Sequence, residues 1–306
     1  MRSFRMLALG ASLLALLLSA CSTGGGSSSS ASAGKPKVTV GSADFYESAL
    51  VGEIYAQALE AKGFTVDRKL NLGKRALTNA ALKSGQINLM PEYIGSEARE
   101  VKANATGDPQ ATFDALKAAL DPLGLTALPF APGADQNGFA VRKETADQLS
   151  LKSLTDAGKA AGQLKWGLPP ECSTNPSCGK ALKDDYGVDI TKVQWVKLAP
   201  CSAVMATALN TKKVDVAELC TTQPDIARFN FVLLQDDKQS QSADNMAPVL
   251  SKDLAAAGGS DLSDTLNAVS AKLTTDALTQ MGVKVDVNKE KIPDVAKQFL
   301  TDNSLI

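Results

Sequence analysis

From Val38 onward the chain alternates two apolar patterns. Short apolar runs are separated by longer stretches in which apolar residues recur every three or four positions, the spacings of strands and of helix faces respectively. Val38–Gly41 reads as a strand, and Ser48 to Ala61, with Leu50, Val51, Ile54, Ala58 and Leu59 on one face, reads as a helix. Thr65–Leu70, Ala76–Lys83 and Ile87–Met90 then read as strand, helix and strand. The order recurs downstream as strand Lys165–Leu168, a helix containing Ala181-Leu182, strand Val193–Leu198, helix Ser202–Asn210 and strand Val214–Leu219. Within this recurrence Ala81 to Leu89 echoes Ala208 to Val216, a short match that gains weight from the repeated order of elements. Alternation of this kind predicts an α/β fold, and its single recurrence predicts two lobes, not a solenoid.

Ahead of Val38 the pattern is that of an address. Arg2 and Arg5 precede an apolar run from Leu7 to Leu18, of signal-peptide length and short for a membrane span. Leu18-Ser19-Ala20-Cys21 resembles a bacterial lipobox, which predicts a signal peptide over 1–21 and lipidation of Cys21. Ser22 to Gly34 holds only Ser, Thr, Gly and Ala, and residues 22–36 read as a flexible tether. The expected location is extracytoplasmic, lipid-anchored to the bacterial cell membrane.

Export changes the reading of Cys172, Cys178, Cys201 and Cys220, since disulfides persist outside the cytoplasm. Three pairings are open to four cysteines. Cys172–Cys178 closes a tight loop. Cys201 and Cys220 each follow an apolar run, and would lie at one edge of the sheet if those runs are adjacent parallel strands. The expectation is therefore Cys172–Cys178 with Cys201–Cys220. A four-thiolate metal site lacks its paired short knuckles here, so no metal is expected.

Composition narrows the chemistry. The chain has no His, which removes Ser–His–Asp and Cys–His catalysis and imidazole metal sites. Its 32 Lys+Arg against 33 Asp+Glu give no basic excess for nucleic acid. No Gly-Lys pair is followed by Ser or Thr, so ATP hydrolysis belongs to another subunit, and Ser32-Ala33-Gly34-Lys35 lies in the tether. Neither an enzyme nor a cofactor is expected.

Ligands of α/β sheets bind beyond the carboxyl ends of the strands. That rule points to Asp44-Phe45, Pro91-Glu92-Tyr93, Pro169-Pro170-Glu171, Pro200-Cys201-Ser202 and Cys220-Thr221-Thr222, facing one another across a cleft. Ser48 and Ser202 are candidate helix caps at those edges, and Asp44 reads equally as a cap or a cleft residue. Trp166 and Trp195, inside strands, read as core.

Several segments together resemble the substrate-binding lipoproteins of ABC importers for glycine betaine, choline, carnitine and related quaternary amines. They are Asp44-Phe45, Ala81-Leu82-Lys83-Ser84-Gly85, Pro91-Glu92-Tyr93-Ile94-Gly95-Ser96, Ala140-Val141-Arg142-Lys143, Leu151 to Asp156, Leu234 to Lys238 and Asn245-Met246-Ala247-Pro248-Val249. The resemblance implies a two-lobed periplasmic-binding-protein-like fold of type II with two hinge crossings, near 132–138 and 236–243. Lobe 1 is then 37–133 plus 242–306, and lobe 2 is 134–241. It also implies a monomer serving a permease and its ATPase subunit, with a small-molecule solute in the cleft.

In that family the trimethylammonium head sits in a cage of aromatic rings. Carried over by motif, Tyr93 keeps a cage ring and Ser96 matches a hydroxyl that holds the ligand. Phe139 falls on a second ring, Cys220 on a third and Asp244 on a fourth, so the cage is depleted. A carboxylate at Asp244 would favour a cation by charge, and reads equally as a solvated hinge residue. Asp44, Gln136, Asn137, Thr221, Thr222, Gln223 and Asn245 supply further polar groups. The alternative function is a lipoprotein of the same fold that senses or presents its ligand without transport.

Overall fold

The computed structural model describes residues 34–306. The expected signal peptide, Cys21 and all but the end of the expected tether lie outside the described residues. Residues 35–306 form one compact unit containing two five-stranded sheets.

The first sheet begins β1 (Val38–Gly41), α1 (Tyr46–Ala61), β2 (Val66–Lys69), α2 (Arg75–Lys83) and β3 (Leu89–Tyr93). Helices α3 (Ile94–Glu100) and α4 (Pro109–Leu120) follow, then β4 (Leu125–Ala127). The chain crosses to the second sheet with β5 (Asn137–Arg142), α5 (Lys143–Leu149), α6 (Leu154–Lys159), β6 (Lys165–Leu168), α7 (Ala181–Tyr186) and β7 (Gln194–Lys197). That sheet is completed by α8 (Ala203–Asn210), β8 (Val216–Cys220), α9 (Pro224–Arg228) and β9 (Phe231–Leu234). The chain returns as β10 (Met246–Ser251) and ends in α10 (Lys252–Ser270), α11 (Thr275–Gly282) and α12 (Ile292–Asp302).

The two sheets share one plan. The first runs β2-β1-β3-β10-β4 and the second β7-β6-β8-β5-β9. In each, the first three strands are parallel and the fourth is antiparallel to its neighbours. Both faces carry helices, so β3 and most of β8 are buried, and apolar runs replace alternation. The echo between Ala81–Leu89 and Ala208–Val216 falls on equivalent ground: the end of α2 leading into β3, and the end of α8 leading into β8. Trp166 is fully buried in the second lobe, while Trp195 is only partly so on edge strand β7.

Two expectations change. Pro91-Glu92-Tyr93 lies within β3 instead of after it. The reason is long-range: β10 pairs antiparallel with the whole of Leu89–Tyr93, setting Pro91 opposite Pro248. Two facing prolines have no N–H to exchange, which suits a position where both would point away from each other. Second, the strands before Cys201 and Cys220 are not adjacent, because β6 lies between β7 and β8. The residues after β7 bring Cys201 to the end of β8 anyway, and the Cys201–Cys220 bond forms across a Cα separation of 4.9 Å. Cys172–Cys178 is also bonded.

The two connecting segments are tied to each other. Ala134 bridges Asn245, the Asp135 N–H donates to the Asp244 carbonyl at 2.9 Å, and the Met246 N–H donates to the Gly133 carbonyl at 3.2 Å. Among the described residues no helix is long and apolar enough to cross a membrane.

Candidate functional site

A cavity of about 490 Å³ opens where the strand ends of both sheets meet the connecting segments. Tyr93 of β3 and Ser96 of α3 border it on the side of the first sheet, Asn137 and Cys220 on that of the second, and Asp135 and Asp244 from the connections.

Tyr93 ends β3 and is 6 % exposed. Its hydroxyl donates to Glu47 Oε1 in the first turn of α1. Burial, and the negative charges of Glu47 and Asp135, hold the Tyr93 phenol well above its usual range, so it stays a donor. The Phe45 ring lies nearly parallel to Tyr93, with centroids 6.1 Å apart and an interplanar angle of 14°. At 38 % exposure Phe45 keeps part of its ring open to solvent.

Glu47 is 2 % exposed, and Oε2 has no hydrogen-bond partner among the described residues. Burial and the nearby Asp135 push its carboxyl up to about 8, against the opposing pull of the Tyr93 hydroxyl. Asp135 is likewise raised, by burial first and by Asp244 in part, and its Oδ1 accepts from the Thr222 N–H at 3.3 Å.

The opposite charge comes from α2 and α3. Arg75 Nε donates to both oxygens of the buried Glu92 at 3.0 Å, and Arg99 Nη2 donates to Asp244 Oδ2 at 3.2 Å. Both arginines border the cavity. Asp244 also accepts from the Ser96 N–H at 2.5 Å and from Ser96 Oγ at 3.2 Å. Such a carboxylate near a helix start satisfies an orphan N–H. Gly95 permits this approach, since a Cβ there would stand 2.6 Å from the Ala243 carbonyl and 2.9 Å from Asp244 Oδ1.

Several sequence-derived site residues sit elsewhere. Phe139 is 1 % exposed, in the second lobe's core and edge-on to Trp166 at 6.3 Å, because β5 turns it to the same face as Val141. Asp44 is exposed, borders no part of the cavity and makes no cap, since Phe45 occupies the N-cap of α1. Thr221 Oγ1 donates to the Ala134 carbonyl at 2.7 Å and accepts from the Gln136 N–H at 3.1 Å, tying the end of β8 to the first connection. Asn245 Nδ2 donates to the Ala131 carbonyl at 3.0 Å. Thr221 and Asn245 thus serve the connections, and neither borders the cavity. Thr222 is buried beside Glu47 and Asp135. Asp244 is engaged by Ser96 and Arg99, so it is not an idle counter-charge. Ser48 accepts from the Ala43 N–H inside α1, and Ser202 caps α8. At Cys220 the disulfide itself forms wall.

Glu47, Asp135, Arg75 and Arg99 were missed. An acidic residue in a first helical turn ordinarily reads as a dipole complement, and only the partnership with Tyr93 distinguishes Glu47. No group of His, Cys, Asp and Glu among the described residues is arranged to hold a metal.

Residues 36–302 match the family described as the substrate-binding domain of ABC-type glycine betaine transport systems. The chain is 25% identical over 294 residues to the carnitine transport binding protein OpuCC of Listeria monocytogenes, covering 94% of this chain and 92% of that protein. It is 26% identical over 274 residues to the glycine betaine-binding protein YehZ of Escherichia coli (strain K12), covering 86% and 89%. The solved structure of apo YehZ from Escherichia coli superposes with a TM-score of 0.80 at 25% identity, over 88% of this chain and 99% of that one.

Proposed function

The chain belongs to the family of substrate-binding domains of ABC-type glycine betaine transport systems, and from that premise we propose that it captures a small cationic or zwitterionic amine between its lobes. A membrane permease driven by a separate ATPase subunit then receives the solute. Family membership favours import over a purely sensing or presenting role.

The observation that carries the ligand class is the polarity of the cavity. Tyr93 and Asp135 border one cavity whose other lining includes Arg75 and Arg99. Tyr93 offers a ring and Asp135 a carboxyl to a cation at the cavity wall, while Arg75 and Arg99, each paired with a carboxylate of the protein, add positive charge that suits the carboxylate of a zwitterion. In this reading Tyr93 and Ser96 contact the solute, Thr222 and Asp244 hold the walls, and 134–241 closes as a lobe against 37–133 and 242–306. The protein acts as a monomer, lipid-anchored through Cys21 on the outer side of the cell membrane. The leader sequence and two disulfides support that location.

A thermal-shift screen over quaternary amines, other amines, polyamines, amino acids and sugars tests the reading, because a ligand that binds only the folded state raises the melting temperature. Stabilisation by cationic or zwitterionic amines is expected. Stabilisation by neutral sugars alone would overturn it.

A further inference from the structure

The ribbon formed by the two connecting segments has a cavity on each of its faces. In an extended chain successive side chains point to opposite sides. Asp135 and Asp244 accordingly border the solute cavity, while their sequence neighbours Ala134, Ala243 and Asn245 border a second cavity of about 360 Å³. Gln136 and Asn137 reach both. The bridge between Ala134 and Asn245, and the main-chain bond from Asp135 to Asp244, thus divide a front cavity from a rear one.

The rear cavity has a wall from each sheet. Pro109, at the start of α4, stands on the side of the first sheet, and Leu154 of α6 and Leu233 of β9 stand on the side of the second. The first side already abuts the ribbon. Gly107 lies so close to the Gln239 carbonyl that a Cβ there would overlap it, and the Ala243 N–H donates to the Thr106 carbonyl at 2.8 Å. Two bodies that turn about a ribbon between them approach on one face only by parting on the other. Closing the sheets over a solute therefore widens the rear cavity, and opening them narrows it. Packed side chains yield little to compression, so whatever fills the rear cavity limits how far the front can open.

We propose that packing in the rear cavity sets the solute affinity, with Leu233 and Ala134 as positioning residues that never touch the solute. This rests on the closure of two lobes in the solute-binding reading above and names how the affinity of that site is set. Both residues border the rear cavity and neither borders the front one. Both are half-buried, Leu233 on edge strand β9 and Ala134 on the ribbon, so each can carry a larger side chain into the rear space. Bulk there disfavours the open arrangement and raises the closed fraction before any solute arrives. The apparent affinity rises with that fraction. Truncation acts in the opposite sense.

Calorimetric titration with glycine betaine, and small-angle X-ray scattering of the ligand-free protein, read the effect together. Leu233→Trp and Ala134→Leu should each bind ~10-fold tighter than the native chain and scatter as more compact particles. Leu233→Ala should bind more weakly and scatter as a more extended one. A lesion that merely loosens the fold does not tighten binding, so a gain of affinity separates positioning from damage. Unchanged or weaker binding by both bulky variants, or tighter binding without compaction, overturns the proposal and leaves the solute-binding reading standing. Where the native chain does not bind glycine betaine, the scattering of the ligand-free variants decides the proposal, and the thermal-shift screen decides the reading. If Leu233→Trp does not fold, Leu233→Phe takes its place.

Discussion

The Tyr93 hydroxyl donates to the Glu47 carboxyl, joining the last residue of β3 to the first turn of α1 beneath the cavity wall. The two residues are 46 positions apart and both are buried, so each fixes the other's orientation. Replacing Tyr93 therefore acts on the ring face and on the carboxyl at once. Tyr93→Phe keeps the ring, strips Glu47 of its donor and should cost about 1–3 kcal/mol of stability by urea denaturation. Tyr93→Ala should in addition abolish ligand-induced thermal stabilisation. A normal ligand shift in the Ala variant would remove Tyr93 from the site.

Glu218 sets a pH dependence. Its buried Oε2 lies 3.1 Å from Cys178 Sγ, and a disulfide sulfur has no hydrogen to give, so the carboxyl must supply the proton. Burial first, then Glu171, push Glu218 from 4.5 up to about 7. The folded state thus holds a proton that the unfolded chain has lost. Its stabilising effect is complete below pH 4.5 and disappears as pH rises through 7. The shift corresponds to about 3 kcal/mol. Chemical denaturation at pH 5 and pH 8 should show a fall for the native sequence and a fall shallower by up to that amount for Glu218→Gln. Equal slopes would contradict the assignment.

Asp244→Ala should behave mainly as a structural lesion. It removes the acceptor of the Ser96 N–H and the partner of Arg99. A loss of about 1–3 kcal/mol is expected, together with a freed guanidinium on the cavity wall. If melting is unchanged while ligand affinity collapses, Asp244 is a direct ligand contact instead.

The Cys201–Cys220 bond closes a separation of 19 residues and borders the cavity. Loop-closure entropy of that size is worth about 3 kcal/mol. The double replacement Cys201→Ser, Cys220→Ser should lower stability by roughly that amount and loosen solute binding. Denaturation curves and titrations of the same sample separate the two effects.

The sequence revealed what local pattern can carry. Strand β6 falls on the residues read for it, and Ala181-Leu182 lies at the start of the expected helix. Antiparallel β5 and β10 escaped the periodicity reading, since their partners are distant in sequence: Asn137 faces Cys220, and Met246 faces Tyr93. The site divided along the same line. Tyr93 and Ser96 were legible because a strand end and a motif coincide there. Thr221 and Asn245 lie close by, but their hydrogen bonds go to the connecting segments. Phe139 was misread because motif position does not report which face of β5 a ring occupies. Glu47 was silent because its role depends on Tyr93, Asp135 and Thr222, drawn from three other parts of the chain.

The bridge between the connecting segments has one more consequence. Asp135 and Asp244 are joined through their main chains at 2.9 Å, and their side chains border the cavity. A solute that draws on either carboxylate therefore pulls directly on the backbone that joins the two sheets, with no intervening side chain to carry the force.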